Sequence, residues 1–167
     1  NRFVRVMAGN PPDRDSANGL TAPAQRALTA MTAAARRAGI RVVVRSGYRS
    51  YALQAQILQS KIREYGSETL ARRYNAAAGR SEHQTGLAAD LTDGVHRGVA
   101  PIRDSATGKW LWANSYKYGF ILRYPPGKEK LTGYAYEPWH FRYVGTDVAA
   151  AFDANSKLTL EEHLGLA

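Results

Sequence analysis

The clearest hydrophobic pattern in the chain lies between Thr21 and Ala38, where Ala24, Leu28, Met31, Ala35 and Ala38 recur at alternating steps of four and three. That spacing draws one stripe along a helix. Pro23 falls in its first turn, where the missing N–H costs nothing, and Gly39 follows as a terminator. Ile40 to Val44 is β-branched except for Arg41 and predicts a buried strand. A second stripe, Leu53, Ile57, Leu58 and Ile62, predicts a helix from Tyr51 to Tyr65, capped by Ser50 and ended by Gly66. A short helix is expected from Ser67 to Tyr74, and a strand entering the core from Gly86 to Thr92. Asp93 to Gly108 reads as a loop leading to a helix at Lys109 to Tyr118. Phe120 to Tyr124 and Trp139 to Val144 read as strands, with a Pro-, Gly- and Lys-rich loop, Pro125 to Thr132, between them. Two short helices, Asp147 to Ala154 and Thr159 to Leu164, form the tail. Residues 9 to 19 are crowded with turn formers and read as a loop.

Helices and strands mix without regular alternation. This argues for an α+β fold, a small, largely antiparallel sheet flanked by helices. The length of 167 residues sits within the ~100–200 residues of one domain. No repeat, low-complexity tract or linker divides it. The expectation is a single domain over 1–167, its motif-bearing core at about 20–145, with 1–19 an N-terminal extension or loop.

Composition narrows the class. A hydrophobic share of 44% with 22% charged residues excludes a disordered chain, and no apolar run approaches the ~18 residues of a membrane span. Cysteine is absent, which excludes a disulfide scaffold, thiolate metal ligands and a cysteine nucleophile. Arg2 and Arg5 stand where a signal peptide would need an apolar stretch, so none is expected in this sequence. The chain reads as a soluble monomer. Its net charge of +9 and pI near 10.0 favour polyanionic partners: nucleic acid, anionic lipid or an acidic cell-wall polymer. The cations are scattered rather than run together, so no basic tail exists, and no nucleic-acid recognition motif is present.

Three segments carry chemistry. Ser81-Glu82-His83-Gln84-Thr85-Gly86-Leu87-Ala88-Ala89-Asp90 separates a His and an Asp by a glycine turn and small residues. They meet at one metal if the chain folds back there; the alternative is a structural pair. Glu137-Pro138-Trp139-His140 supplies a second His. Three protein ligands, His83, Asp90 and His140, leave the fourth zinc position open, as catalytic sites do. Glu137 and His140 would face opposite sides of a strand, so a turn at Pro138 must realign them. Glu137 is then a carboxylate beside the metal, placed as a general base; otherwise it is a surface Glu. Ser46-Gly47-Tyr48-Arg49-Ser50 puts Arg49 at a strand end, where a guanidinium can hold a carboxylate or an oxyanion, or simply remain solvated.

Together these segments resemble the zinc D-Ala-D-Ala carboxypeptidases of the VanY and LdcB type, which share a fold with D-Ala-D-Ala dipeptidases and the Hedgehog signalling domain. Ser81 to Asp90 meets the family's Ser-x-His-x-x-Gly-x-Ala-x-Asp, Glu137 and His140 its Glu-x-x-His, and Ser46 to Ser50 its Ser-Gly-Tyr-Arg-Ser. The run from Trp112 to Phe120 is also similar, and the resemblance spans roughly Leu20 to Gly145. Ala76-Ala77-Ala78-Gly79 replaces a Pro-Pro-Gly common in relatives.

The resemblance implies one zinc per chain, held by His83, Asp90 and His140, with Glu137 as the base. It implies that Arg49 and Gln54 contact the substrate around the scissile bond, that Ser81 hydrogen-bonds it, and that Tyr118 and Trp139 wall the pocket. The implied activity is removal of a C-terminal D-Ala from peptidoglycan stem peptides, D,D- or L,D-specific, outside the cytoplasm of a bacterium. An endolysin-like L-Ala-D-Glu endopeptidase and a non-catalytic zinc-containing wall-binding module share the ligand set. His96 and His163 match no motif and read as structural or exposed.

Overall fold

The computed structural model describes residues 18–166, so the loop expected at 9 to 19 lies, but for its last two residues, outside the described part. The first helix, α1 (Ala22–Arg37), buries Ala24, Leu28, Met31 and Ala35, four of the five stripe positions. Ala38 caps its end, and Gly39 takes the left-handed conformation at φ +73°. The N–H of Gly39 donates to Arg36 O and that of Ile40 to Ala35 O, the paired bonds of a Schellman motif. This is why the strand begins later than the apolar run suggests. Ile40 is used up in closing the helix, and β1 runs Val43–Ser46 instead of Ile40 to Val44.

β1 is followed by α2 (Tyr51–Tyr65), where the Ser50 hydroxyl accepts from the Leu53 N–H, and by α3 (Glu68–Arg72). A 3-10 turn, Glu82–Thr85, leads into β2 (Ala88–Thr92), all five of whose residues are buried. The segment expected to be a loop contains a helix, α4 (Val99–Asp104). Pro101 lies in its first turn, where no N–H is missed. Ser105 then caps α5 (Ala106–Asn114), and Tyr118 falls in a separate 3-10 turn, Ser115–Tyr118, rather than at the end of one helix. β3 (Phe120–Leu122), the short α6 (Glu129–Thr132) and β4 (His140–Tyr143) follow. The tail holds α7 (Thr146–Ala149), shorter than expected, and α8 (Leu160–His163), which Thr159 and Glu162 close with a capping box.

The sheet has the order β1-β2-β4-β3 and every pairing is antiparallel, in agreement with the α+β expectation. The main core joins Leu20, Leu28 and Met31 of the α1 region to Leu91, Leu111, Phe120 and Phe141. A second cluster packs Phe152 and Leu160 of the tail on Ile121. The register matters most for function: Asp90 of β2 lies directly opposite His140 of β4, and Ser46 of β1 pairs with Asp90 across an irregularity.

Candidate metal centre

Three buried side chains converge at the middle of the sheet. Among the described residues, His83, Asp90 and His140 bring one potential ligand atom each within 4.8 Å of one another. Two come from neighbouring strands and the third from the 3-10 turn, which Gly86 closes at φ +68°. Ala88 and Ala89 have no exposed surface, so the strand carrying Asp90 packs tightly behind the group.

Hydrogen bonds fix which nitrogen each imidazole presents. A carbonyl only accepts, so His83 Nδ1, 2.6 Å from Gly47 O, is the protonated nitrogen and Nε2 carries the lone pair. His140 Nε2 donates to the Glu82 carboxylate at 3.3 Å, which leaves Nδ1 as its free donor atom. Both lone pairs face Asp90 Oδ1, at 3.3 Å from His83 Nε2 and 3.2 Å from His140 Nδ1. His83 Nε2 and Asp90 Oδ1 are buried without a hydrogen-bond partner. Three electron-rich atoms crowded in a dry site repel one another unless a cation lies among them. The field points the same way. Burial lowers the proton affinity of both rings, yet the facing carboxylates of Asp90 and Glu82 outweigh it at His140, so positive charge is favoured among these atoms. The residues therefore fit a zinc ion, with a histidine–carboxylate outer partner of the usual kind.

Glu137 stands outside this triad. The His140 N–H donates to Glu137 O across the Pro138-Trp139 turn, and this turn brings Glu137 Oε2 to 3.7 Å from His140 Nδ1. Burial pushes the Glu137 carboxyl up to about 8, opposed by the nearby His140 and reinforced by Asp90. Arg49 reaches the group from the end of β1. Its Nη2 donates to Asp90 Oδ2 at 2.8 Å, its Nε to Ser46 Oγ at 2.9 Å and its Nη1 to Gln54 Oε1 at 3.4 Å. Its side chain is 18% exposed. Gln54 is fully buried, and its amide donates to Ala76 O; it braces Arg49 rather than facing open space. Ser81 is buried at the start of the 3-10 turn.

The aromatic residues divide. Trp139 is half-buried, and its carbonyl accepts from the Leu91 N–H. Tyr118 packs on the main core, stacked on Trp110. Tyr124, which sequence reasoning passed over, sets its ring 4.9 Å from that of His140. His96 is exposed beside Asp93, and His163 lies against Phe152.

Glu82 was also missed. Its motif position accepts any residue, yet here it is the buried acceptor for His140. Arg123 and Arg142 lie against its other oxygen, at 2.9 and 3.4 Å, and together with His140 they hold it well below the usual carboxylate range despite burial. No local signal announces this. The partners lie some forty residues or more away in sequence.

Comparison with known proteins places this geometry in a family. The D-alanyl-D-alanine carboxypeptidase (VanY) family model matches residues 17–146. A D-alanyl-D-alanine carboxypeptidase of Enterococcus faecalis is 41% identical over 140 residues, 78% of this chain and 50% of that protein. Two solved structures superimpose closely. VanYB in complex with D-alanine-D-alanine has a TM-score of 0.84 at 36% identity, covering 99% of this chain and 94% of that one. A vancomycin-resistance D,D-pentapeptidase VanY E175A mutant in complex with Zn(II) has a TM-score of 0.78 at 35% identity, covering 96% and 97%. The chain spans about half the length of the curated relatives it matches. It belongs to the VanY D-alanyl-D-alanine carboxypeptidase family.

Proposed function

We propose that the chain is a zinc carboxypeptidase that removes the C-terminal D-Ala from peptidoglycan stem peptides outside the cytoplasm. The observation that supports it most is the buried Glu137 carboxyl, 3.7 Å from His140 and beside the convergent lone pairs of His83, Asp90 and His140. Bound by those three residues, zinc supplies Lewis acidity, polarising a carbonyl and lowering the pKa of water from 15.7 to about 7. Glu137 accepts the proton of the attacking water at its carboxylate and returns it to the leaving amine. Arg49 fixes the Asp90 carboxylate and, being partly exposed, offers its charge to the substrate's terminal carboxylate or the developing oxyanion. A wall-binding module without catalysis would need no such base.

The test is mass spectrometry of purified muropeptides after incubation with the protein. Loss of one Ala from a pentapeptide stem supports D,D-specificity, and loss of one from a tetrapeptide stem L,D-specificity. An internal cut would instead reveal an endopeptidase, and intact stems in the presence of zinc would overturn the proposal.

A further inference from the structure

We propose that Glu161, on the tail helix α8, is a positioning residue for the metal ligand His140. The inference rests on the metal reading of His83, Asp90 and His140, and extends it to a segment beyond the family match, which ends at residue 146.

A continuous buried chain of ion pairs connects the two residues. His140 Nε2 donates to Glu82 Oε2 at 3.3 Å. The other carboxylate oxygen of Glu82 accepts from Arg123 Nε at 2.9 Å. Both remaining nitrogens of Arg123 are committed to Glu161, Nη1 to Oε2 at 2.9 Å and Nη2 to Oε1 at 2.7 Å, the bidentate fork of a strong pair. The side chains of Arg123 and Glu82 have no exposed surface, and that of Glu161 is 7% exposed. Arg123 also holds His140 through the main chain, its N–H donating to His140 O at 3.1 Å.

The physical consequence is specific. Arg123 is shared between two carboxylates, and each limits how strongly it draws on the other. With the charge of Glu161 removed, Arg123 turns fully to Glu82, and the Glu82 oxygens become weaker acceptors for the His140 N–H. The imidazole loses both basicity at Nδ1 and the restraint on its ring. Buried ion-pair networks are poor sources of stability relative to well-packed apolar residues replacing the whole network, so the presence of the Glu82–Arg123–Glu161 network is weak evidence for a merely stabilising role.

The experiment uses the full chain stripped of metal, titrated with Co(II) by visible absorption and with zinc in competition with a colour-forming chelating dye, well below the unfolding temperature. Glu161→Gln is expected to weaken zinc binding at least tenfold, within the ~10–100-fold typical of outer partners of ligating histidines, and to shift the Co(II) spectrum. Glu161→Asp keeps the charge and is expected to recover part of the affinity. Leu28→Val, in α1 and a member of none of these ion pairs, lowers stability and should bind metal as the wild type does. A lowered melting temperature with wild-type affinity and spectrum in the Glu161 variants would overturn the inference, because a mere anchor predicts that result. If Glu161→Gln does not fold, Glu161→Met, which also removes the charge at similar volume, is read in its place, and wild-type affinity and spectrum there overturn the inference equally. A wild-type protein that binds neither Co(II) nor zinc overturns the metal reading itself.

Discussion

At the scale of single residues, His83, Asp90 and His140 were legible because each sits in a short motif whose neighbours, Gly86, Ala88 and Pro138, have local reasons to be there. Glu82, Arg123 and Glu161 were not. A sequence shows an arginine without its partners, and the ordinary expectation of a solvated guanidinium is wrong only because the fold buries Arg123 between two carboxylates. Two substitutions separate the roles of the legible residues. Glu137→Gln keeps the shape of the side chain and removes the carboxylate proposed as the base. It is expected to retain zinc by metal analysis while losing hydrolysis by ~10²–10⁴-fold or more; full activity would mean that another group takes the proton. Arg49→Lys keeps the charge, but one ammonium cannot span Asp90, Ser46 and Gln54 as the guanidinium does. Steady-state kinetics on a soluble stem peptide should show kcat/KM lowered at least tenfold, a loss of ~1.4 kcal/mol or more in transition-state binding.

Whole elements were read well where one periodicity ran uninterrupted. The stripe of α1 placed its ends within a residue of those observed. Punctuation residues mislead where the fold gives them another use. Gly98, Pro101 and Gly108 look like breakers, yet the first and second sit at the start of α4 and the third lies in α5. Gly108 is required there because a Cβ would come 2.1 Å from Ile102 O. A comparable close approach governs the site. A Cβ on Gly47 would meet Asn18 O at 2.3 Å, and the carbonyl of Gly47 is the one that sets the tautomer of His83. Gly47→Ala therefore forces the end of β1 away from Asn18 and carries that carbonyl with it. Urea unfolding should show a loss of roughly 1–3 kcal/mol, the usual range for overpacking, together with weaker zinc binding; a change in stability alone would mean that the turn yields without moving His83.

For the whole molecule, the net charge of +9 says little about the chemistry and more about approach. Arg36 and Arg37 are exposed at the end of α1, in its last turn, and attraction through solvent fades beyond about 8 Å at physiological salt. Reversing both to Glu should leave turnover of a soluble stem peptide nearly unchanged and weaken sedimentation with intact cell walls, most visibly at low ionic strength. Abolished turnover of the soluble substrate would show that this face belongs to the cleft. The facing of Asp90 and His140 across β2 and β4 has a thermodynamic consequence as well. A cation gripped there cross-braces the two inner strands, and an unfolded chain, with its ligands scattered, has little hold on it. Stability then follows mass action: at a free zinc concentration a hundred times the dissociation constant the folded state gains about 2.7 kcal/mol. The melting temperature measured by calorimetry should climb with each tenfold rise in free zinc, and His83→Ala or His140→Ala should flatten that slope. A metal-poor medium is therefore expected to weaken the sheet itself as well as to empty the site.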